Sequence, residues 1–340
     1  MLLKLLTELN GTSGAEKEIR NALKKELEPF VQNMQIDKIG NLIAEKNPNH
    51  PGPKIMLAAH MDEVALMITS ITSDGFLKFK PVGGIDSRIL VSKVVKVNSL
   101  FGVIGAKAIH LQKPKEREQA LKTDQLYIDI GAKNKEEAEK QVKLGDYAYF
   151  YTQTENLGQG YLKGKAFDDR VGCAILAEIL KREYPLNLVG AFTVQEEVGL
   201  RGATVAAYHV QPDFAIVLEG TVSAHMLEVE EEEWVTVPGK GPAISIIDNS
   251  SLYLPQLLKQ VMKIAEKQGI PYQLRKGHKG GNDAGKIHLS RAGVPTIAIS
   301  VPCRYLHSTV SVLAEKDIEH TLQLVDAILK AIPQEFPLNK

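Results

Sequence analysis

The stretch VGAFTVQEEVGLRG, residues 189–202, runs from an apolar segment into two adjacent carboxylates, Glu196 and Glu197. Three more apolar segments end in groups that can bind a metal: IMLAAHMD in His60 and Asp62, AIVLEG in Glu219, and AISVPCRYLH, through a short loop, in His307. KAFDDRVG adds Asp168 and Asp169 just ahead of a helical pattern. Singly, each has an ordinary explanation. A histidine after a strand is more often hydrogen-bonded within the structure, the two aspartates suit a helix start, and Glu219 suits a solvated strand end. Jointly they point elsewhere, because carboxylates that converge on one crevice repel one another and hold protons unless cations neutralise them. Two divalent ions and a hydroxide would balance Asp168, Glu197 and Glu219. The mixed imidazole and carboxylate set suits zinc, cobalt or manganese. A bridging carboxylate would hold two ions ~3.5–4 Å apart, as in two-metal hydrolases. In this reading Asp168 is the bridge, His60 and Glu219 hold one ion, and Glu197 and His307 hold the other. Glu196 stays uncoordinated, since neighbouring residues at a strand end point in different directions, and serves as general base.

These groups need a frame that brings distant segments to one edge. Residues 15–30 have helical spacing and NLIAEKN reads as a strand, followed by the apolar run that carries His60. Between about residues 70 and 158 the texture changes to short, β-branched, Gly-punctuated segments, which predict a small β-barrel or sandwich. From about 160 helices alternate with apolar strands, including a helix expected over AGKIHLSRAG. Alternation of this kind predicts an α/β fold, a mostly parallel sheet covered by helices. Because the strand at 55–59 belongs with this second set, the expected division is a catalytic domain of residues 1–69 and 159–340 with residues 70–158 inserted. Open parallel sheets place their sites at the carboxyl ends of the strands, so all the candidate groups would face the same edge.

Composition sets the surroundings. The chain has 340 residues, 44% hydrophobic and 24% charged, which suits a water-soluble protein of two domains. Lys+Arg and Asp+Glu both number 41, so there is no electrostatic reason to expect nucleic acid or an anionic membrane as partner. The two cysteines, Cys173 and Cys303, lie in apolar segments and read as buried thiols of a reducing compartment, so a cytoplasmic location is expected. MLLKLLTEL, interrupted by Lys4 and Glu8, predicts an amphipathic helix rather than a signal segment. No uninterrupted apolar stretch approaches the ~18 residues of a spanning helix. Motifs for serine hydrolases, zincins and nucleotide loops are absent. LEVEEEEW, with Glu228 and Glu230 to Glu233, reads as a solvated charge run.

The motifs AAHMDEVALM, GKAFDDRVG, QEEVGLRGA, GGNDAG and SVPCRYLHS, in this order, resemble the M42 metallo-aminopeptidases, which include glutamyl and deblocking aminopeptidases and the tetrahedral TET peptidases. The likeness covers essentially the whole chain. It implies an α/β catalytic domain with a PDZ-like β-barrel insertion serving assembly and substrate access, two metal ions, and removal of N-terminal residues from peptides. It implies the same ligands, His60, Asp168, Glu197, Glu219 and His307, with Glu196 as base, and gives Asp62 the task of orienting His60 or the metal site. A homo-oligomer, a dodecamer built from dimers, follows from the resemblance alone. Many family members carry Asp where this chain has Glu219. Two other functions compete: an N-acyl amino acid deacylase or dipeptidase using the same site, and a peptide-binding scaffold that has lost catalysis.

Overall fold

The computed structural model describes residues 2–277 and 279–335. Eleven strands form one sheet: β1 (Asn33–Ile36), β2 (Leu42–Lys46), β3 (Lys54–His60), β10 (Glu155–Asn156), β11 (Tyr161–Gly164), β12 (Asn187–Thr193), β13 (Phe214–Val222), β14 (Ala243–Ser245), β15 (Gln273–Arg275), β16 (Thr296–Arg304) and β17 (Ser311–Ala314). Their order is β1-β2-β12-β3-β13-β16-β17-β11-β10, with β14 and β15 branching from β16. The four central strands, β12, β3, β13 and β16, are mutually parallel. Each is almost wholly buried, because helices cover a parallel sheet and leave its strands apolar along their whole length. The helix Phe167–Leu180 packs on β3 and β13, and the helix Glu315–Glu335 on Phe167–Leu180 and β16. The helix expected over AGKIHLSRAG is shorter, Ala284–Ile287, and gives way to turns closed by Ser290 and Gly293.

Six antiparallel strands close into the barrel: β4 (Ala65–Ile71), β5 (Leu77–Val82), β6 (Val94–Val97), β7 (Leu100–Gly105), β8 (Tyr127–Asp129) and β9 (Tyr147–Phe150). Leu66, Ile68, Phe79, Val95, Ile128 and Phe150 belong to a core separate from that of the large sheet. The expected division at 69 and 158 differs from this at both ends. The first barrel strand already begins at Ala65, and β10 has rejoined the large sheet by Glu155. IMLAAHMDEVALMITSI is nearly continuous in apolar character, so the passage from one unit to the other at residues 61–64 has no signal in hydropathy.

That passage is clamped. Glu63, buried between the two units, accepts from Lys165 at 2.7 and 2.8 Å and from Arg170 at 3.2 Å. Arg170 also donates to the carbonyls of Met61 and Gly11, and Lys165 to that of Leu9. The Glu63 N–H also donates to the Gly11 carbonyl, and the Thr12 hydroxyl donates to the Glu63 carbonyl. Removing one partner of a buried ion cluster leaves uncompensated charge, so Glu63→Gln is expected to lower folding stability by about 3–5 kcal/mol. Denaturant melts check this, and a loss below about 1 kcal/mol would show that the cluster holds nothing.

Candidate metal centre

The parallel core explains how the candidate residues meet. Thr193 pairs with His60, and Val217 pairs with Ala58, which sets Glu219 level with His60 although β13 runs three residues further. β16 ends at Arg304, and a loop with positive φ at Tyr305 (59°) and His307 (53°) turns the second imidazole back to the same edge. After β12 the chain turns at Gln195, φ 56°, and the carboxylate of buried Asp62 takes the N–H groups of Glu196 (3.0 Å) and Glu197 (3.2 Å). This fixes the two glutamates in different directions. Asp168 lies at the start of its helix with non-helical backbone angles, pressed against β13 where only Gly220 leaves room: a Cβ there would lie 3.0 Å from the Asp168 Cα.

His60 Nδ1 lies 3.0 Å from the Asp62 carbonyl and 3.4 Å from its carboxylate. The bond to a carbonyl requires the proton on Nδ1, so in the neutral ring a metal ligand needs, the Nε2 lone pair faces Asp168 Oδ1 at 3.3 Å and Glu219 Oε2 at 3.5 Å. His307 Nε2 lies 3.2 Å from Asp168 Oδ2 and 3.3 Å from Glu197 Oε2. The two oxygens of Asp168 thus face different imidazoles. Asp168 Oδ1 and Glu219 Oε1 are buried without a hydrogen-bond partner. Ligands held ~2.0–2.1 Å from a tetrahedral ion lie roughly 3.3 Å apart, so these spacings suit a cation between the groups better than direct contact. Ligand atoms of His60, Asp168 and Glu197, and of His60, Asp169 and Glu219, lie within 4.8 Å of one another. Asp169 is the less suitable of the two aspartates. Its Oδ2 accepts the His60 N–H and its Oδ1 that of Gly172, so backbone already occupies both oxygens.

The charges need compensation. Burial pushes Glu196 well above the ordinary glutamate range, Glu197 to about 7 and Glu219 to about 8. Burial would depress the imidazoles, but the carboxylates around them outweigh it, holding His60 well above its usual value and His307 at about 9. Asp168 is also penalised by burial, yet His307 and His60 hold it far below the normal range. Without ions, Glu197, Glu219 and His307 therefore keep protons that the unfolded chain has released. The folded state binds more protons across roughly pH 5–9, so metal-free stability falls as pH rises through that window. Asp168 acts only below it, where the native carboxylate loses stability as acid protonates it. Bound ions replace the protons, so thermal midpoints of metal-loaded protein are expected to stay level where those of chelated protein decline. A chelated midpoint that climbs with pH would contradict this.

Some participants were not read from the sequence. Ser13 donates to Asp62 Oδ2 at 2.6 Å, and Glu16 accepts the N–H of Gln195. Neither belongs to a motif that sets it apart. Asp283, inside the GGNDAG motif, is fully buried, binds Thr193 through one oxygen and has no partner for the other. The motif marked that position, but nothing gave it a task. From the barrel, Gly83 and Gly84 reach the centre: a Cβ on Gly83 would lie 3.3 Å from Glu197 Oε2, and one on Gly84 would lie 3.5 Å from His307 Nδ1. Asp62 was expected to orient His60, and it is its carbonyl that meets the ring while its carboxylate holds the glutamate turn. Cys173 and Cys303 are buried free thiols, and Glu228 and Glu230 to Glu233 are exposed.

A cavity of about 230 Å³ opens in front of His60, Asp168, Glu196, Glu219 and His307. The family model described as M42 glutamyl aminopeptidase matches residues 40–324, which hold the whole of this edge. The chain belongs to the M42 peptidase family. The lysyl aminopeptidase of Pyrococcus furiosus is 30% identical and covers 98% of each chain. The TET aminopeptidase of Thaumarchaeota archaeon SCGC AB-539-E09 superimposes with a TM-score of 0.93 at 37% identity, over 97% of this chain and 95% of that one. The TET1 peptidase of Pyrococcus horikoshii, which can assemble into a tetrahedron or a large octahedral shell, gives 0.84 at 37% identity over 96% and 98%. This M42 peptidase is accordingly a peptide hydrolase of the metal-dependent aminopeptidase kind, with an inserted antiparallel barrel.

Proposed function

We propose that the chain is a dinuclear metallo-aminopeptidase in which Asp168 bridges two divalent ions, His60 and Glu219 complete one position, and Glu197 and His307 complete the other. The observation that carries this reading is the split of Asp168, one oxygen 3.3 Å from His60 and the other 3.2 Å from His307. The ions, zinc, cobalt or manganese, would supply Lewis-acid polarisation of the scissile carbonyl and more acidic water. Glu196 does the proton work. Its Oε2 stands 4.0 Å from His60 Nε2, further than the ligand carboxylates, and burial raises its affinity for a proton. It takes a proton from the attacking water and delivers it to the departing amine. Asp62 holds the turn that aims Glu196 and Glu197. A deacylase or dipeptidase working through the same groups would need blocked or two-residue substrates, and an inactive scaffold would not need the complete ligand set.

The deciding experiment is a screen of aminoacyl p-nitroanilides and N-acetylated analogues with apo-protein reloaded with zinc, cobalt or manganese. Turnover of free but not acetylated N-termini supports the aminopeptidase, and the reverse preference would replace it with a deacylase. The family description names glutamate, whereas the Pyrococcus furiosus relative is named for lysine, so membership leaves the preferred residue open. No described helix is long and apolar enough to cross a membrane. The assemblies of TET relatives support a homo-oligomer, a dodecamer in the simplest case, with the barrel serving assembly and access. Replacing residues 65–150 by a short linker is expected to leave the ligand-bearing residues in place and to reduce particle mass in light scattering. Retention of the full-length mass would remove the barrel from assembly.

A further inference from the structure

The cavity has a second charged wall, opposite in sign to the first. Arg275, at the end of β15, lines it together with Lys279. Arg275 is only 8% exposed, and its Nε donates to Thr221 Oγ1 at 3.0 Å. Thr221 follows Glu219 by two residues on β13, and alternate residues of a strand share a face. The guanidinium is therefore anchored about 7 Å along the strand from a candidate ligand. Its other contacts are the carbonyls of Gly277 (3.1 Å) and Lys279 (2.6 Å).

These partners are all neutral, which sets Arg275 apart. The other buried cations have carboxylates: Lys46 meets Glu183 at 2.8 Å, and Lys165 and Arg170 meet Glu63. Among the described residues no carboxylate lies within ion-pair distance of Arg275, and three of the five guanidinium N–H groups are engaged. Asp248 also lines the cavity and attracts Arg275 through space, but its oxygens accept from Ser250, Tyr253 and Asn282 and make no direct pair with the guanidinium. A buried charge without a directly paired counter-ion is unfavourable unless a ligand supplies one.

We infer that Arg275, assisted by Lys279, is the specificity-determining cation of this peptidase and takes a carboxylate of the substrate. This rests on the aminopeptidase reading above. A glutamate side chain spans four bonds from its own carbonyl carbon to its carboxylate, roughly 5 Å. With a charge-assisted hydrogen bond of ~2.7–2.9 Å added, it matches the offset between Glu219 and the guanidinium. The C-terminal carboxylate of a dipeptide reaches about as far. The acidic side chain and the short peptide's C-terminus are two sources of one chemistry.

The test measures kcat/KM on p-nitroanilides of Glu, Gln and Leu, and on Leu-Gly against Leu-Gly amide. The metal-loaded full chain is compared with Arg275→Met, Arg275→Lys and Lys279→Ala, and calorimetry follows binding of L-glutamate and L-glutamine. The expected result is a Glu over Gln preference of roughly 10- to 100-fold, the range of a hydrogen bond to a charged group. It collapses toward unity in Arg275→Met and is partly kept in Arg275→Lys, which retains charge without the planar fork. A preference seen only between Leu-Gly and its amide assigns the carboxylate to the peptide C-terminus. Parity in both comparisons overturns the inference, as does an Arg275→Met variant that lowers every substrate by the same factor. If Arg275→Met does not fold, Arg275→Lys and Lys279→Ala carry the comparison. Turnover of the Leu substrate with parity elsewhere removes this inference and leaves the aminopeptidase standing. Arg275-dependent binding of glutamate over glutamine without any turnover does the opposite.

Discussion

Glu196→Gln is expected to lower turnover by about 10²–10⁴-fold, the contribution of a positioned general base, while metal content stays at the wild-type level. Glutamine keeps the shape and the backbone N–H that Asp62 holds at 3.0 Å, so the turn carrying Glu197 should not move. What is lost is an oxygen able to accept a proton from water. Turnover is read on the best aminoacyl substrate and metal content by elemental analysis of the same sample. Near wild-type turnover with full metal content would assign the base elsewhere, with Glu197 next to be tested. Loss of metal together with activity would instead make Glu196 a ligand.

Asp168→Asn is expected to weaken both metal positions together, whereas His307→Ala should weaken mainly one. The asymmetry follows from the contacts. Asp168 faces both imidazoles, while among the described residues the carboxylates that His307 approaches are those of Asp168 and Glu197. Removing the shared negative charge also leaves Glu197 and Glu219 with one anion fewer to balance the ions, and metal affinity is tied to ligand deprotonation. Metal retained after dialysis against a mild chelator, counted per chain, checks this. Two tight ions in the Asn variant would move the bridge to Asp169, and the His60 N–H would then have to find another acceptor.

Much of this candidate centre was legible because apolar runs end where the candidate ligands begin. In a parallel sheet that rule is geometric: His60 is the last residue of β3, Glu196, Glu197 and His307 fall just past strand ends, and those ends share an edge. Glu219 was legible by type but not by place, since only the register of β13 against β3 shows why a residue three positions before the strand's end reaches the same level. Ser13, Glu16, Asp283 and Gly83 were not assigned, because each acts through a contact with a segment far away in sequence. Gly83 shows why most clearly: its proximity to Glu197 depends on how a whole barrel is seated. The boundary at Ala65 was missed for a related reason, since one apolar run serves two separate cores and hydropathy does not record which core a side chain enters.

The clamp around Glu63 bears on how peptides reach the centre. The chain crosses into the barrel through a segment tied by two buried cations, by a backbone bond to Gly11 and by the Thr12 hydroxyl. A connection fastened in this way does not act as a hinge. The barrel is then expected to stand as a fixed jamb, with Gly83 and Gly84 held against Glu197 and His307 at the candidate metal centre. Admission would then be decided by fit rather than by timing, as with a sieve rather than a valve. Hydrogen exchange at residues 61–64 should accordingly be as slow as in the central strands and unchanged by a bound peptide, and fast exchange there would restore a moving door.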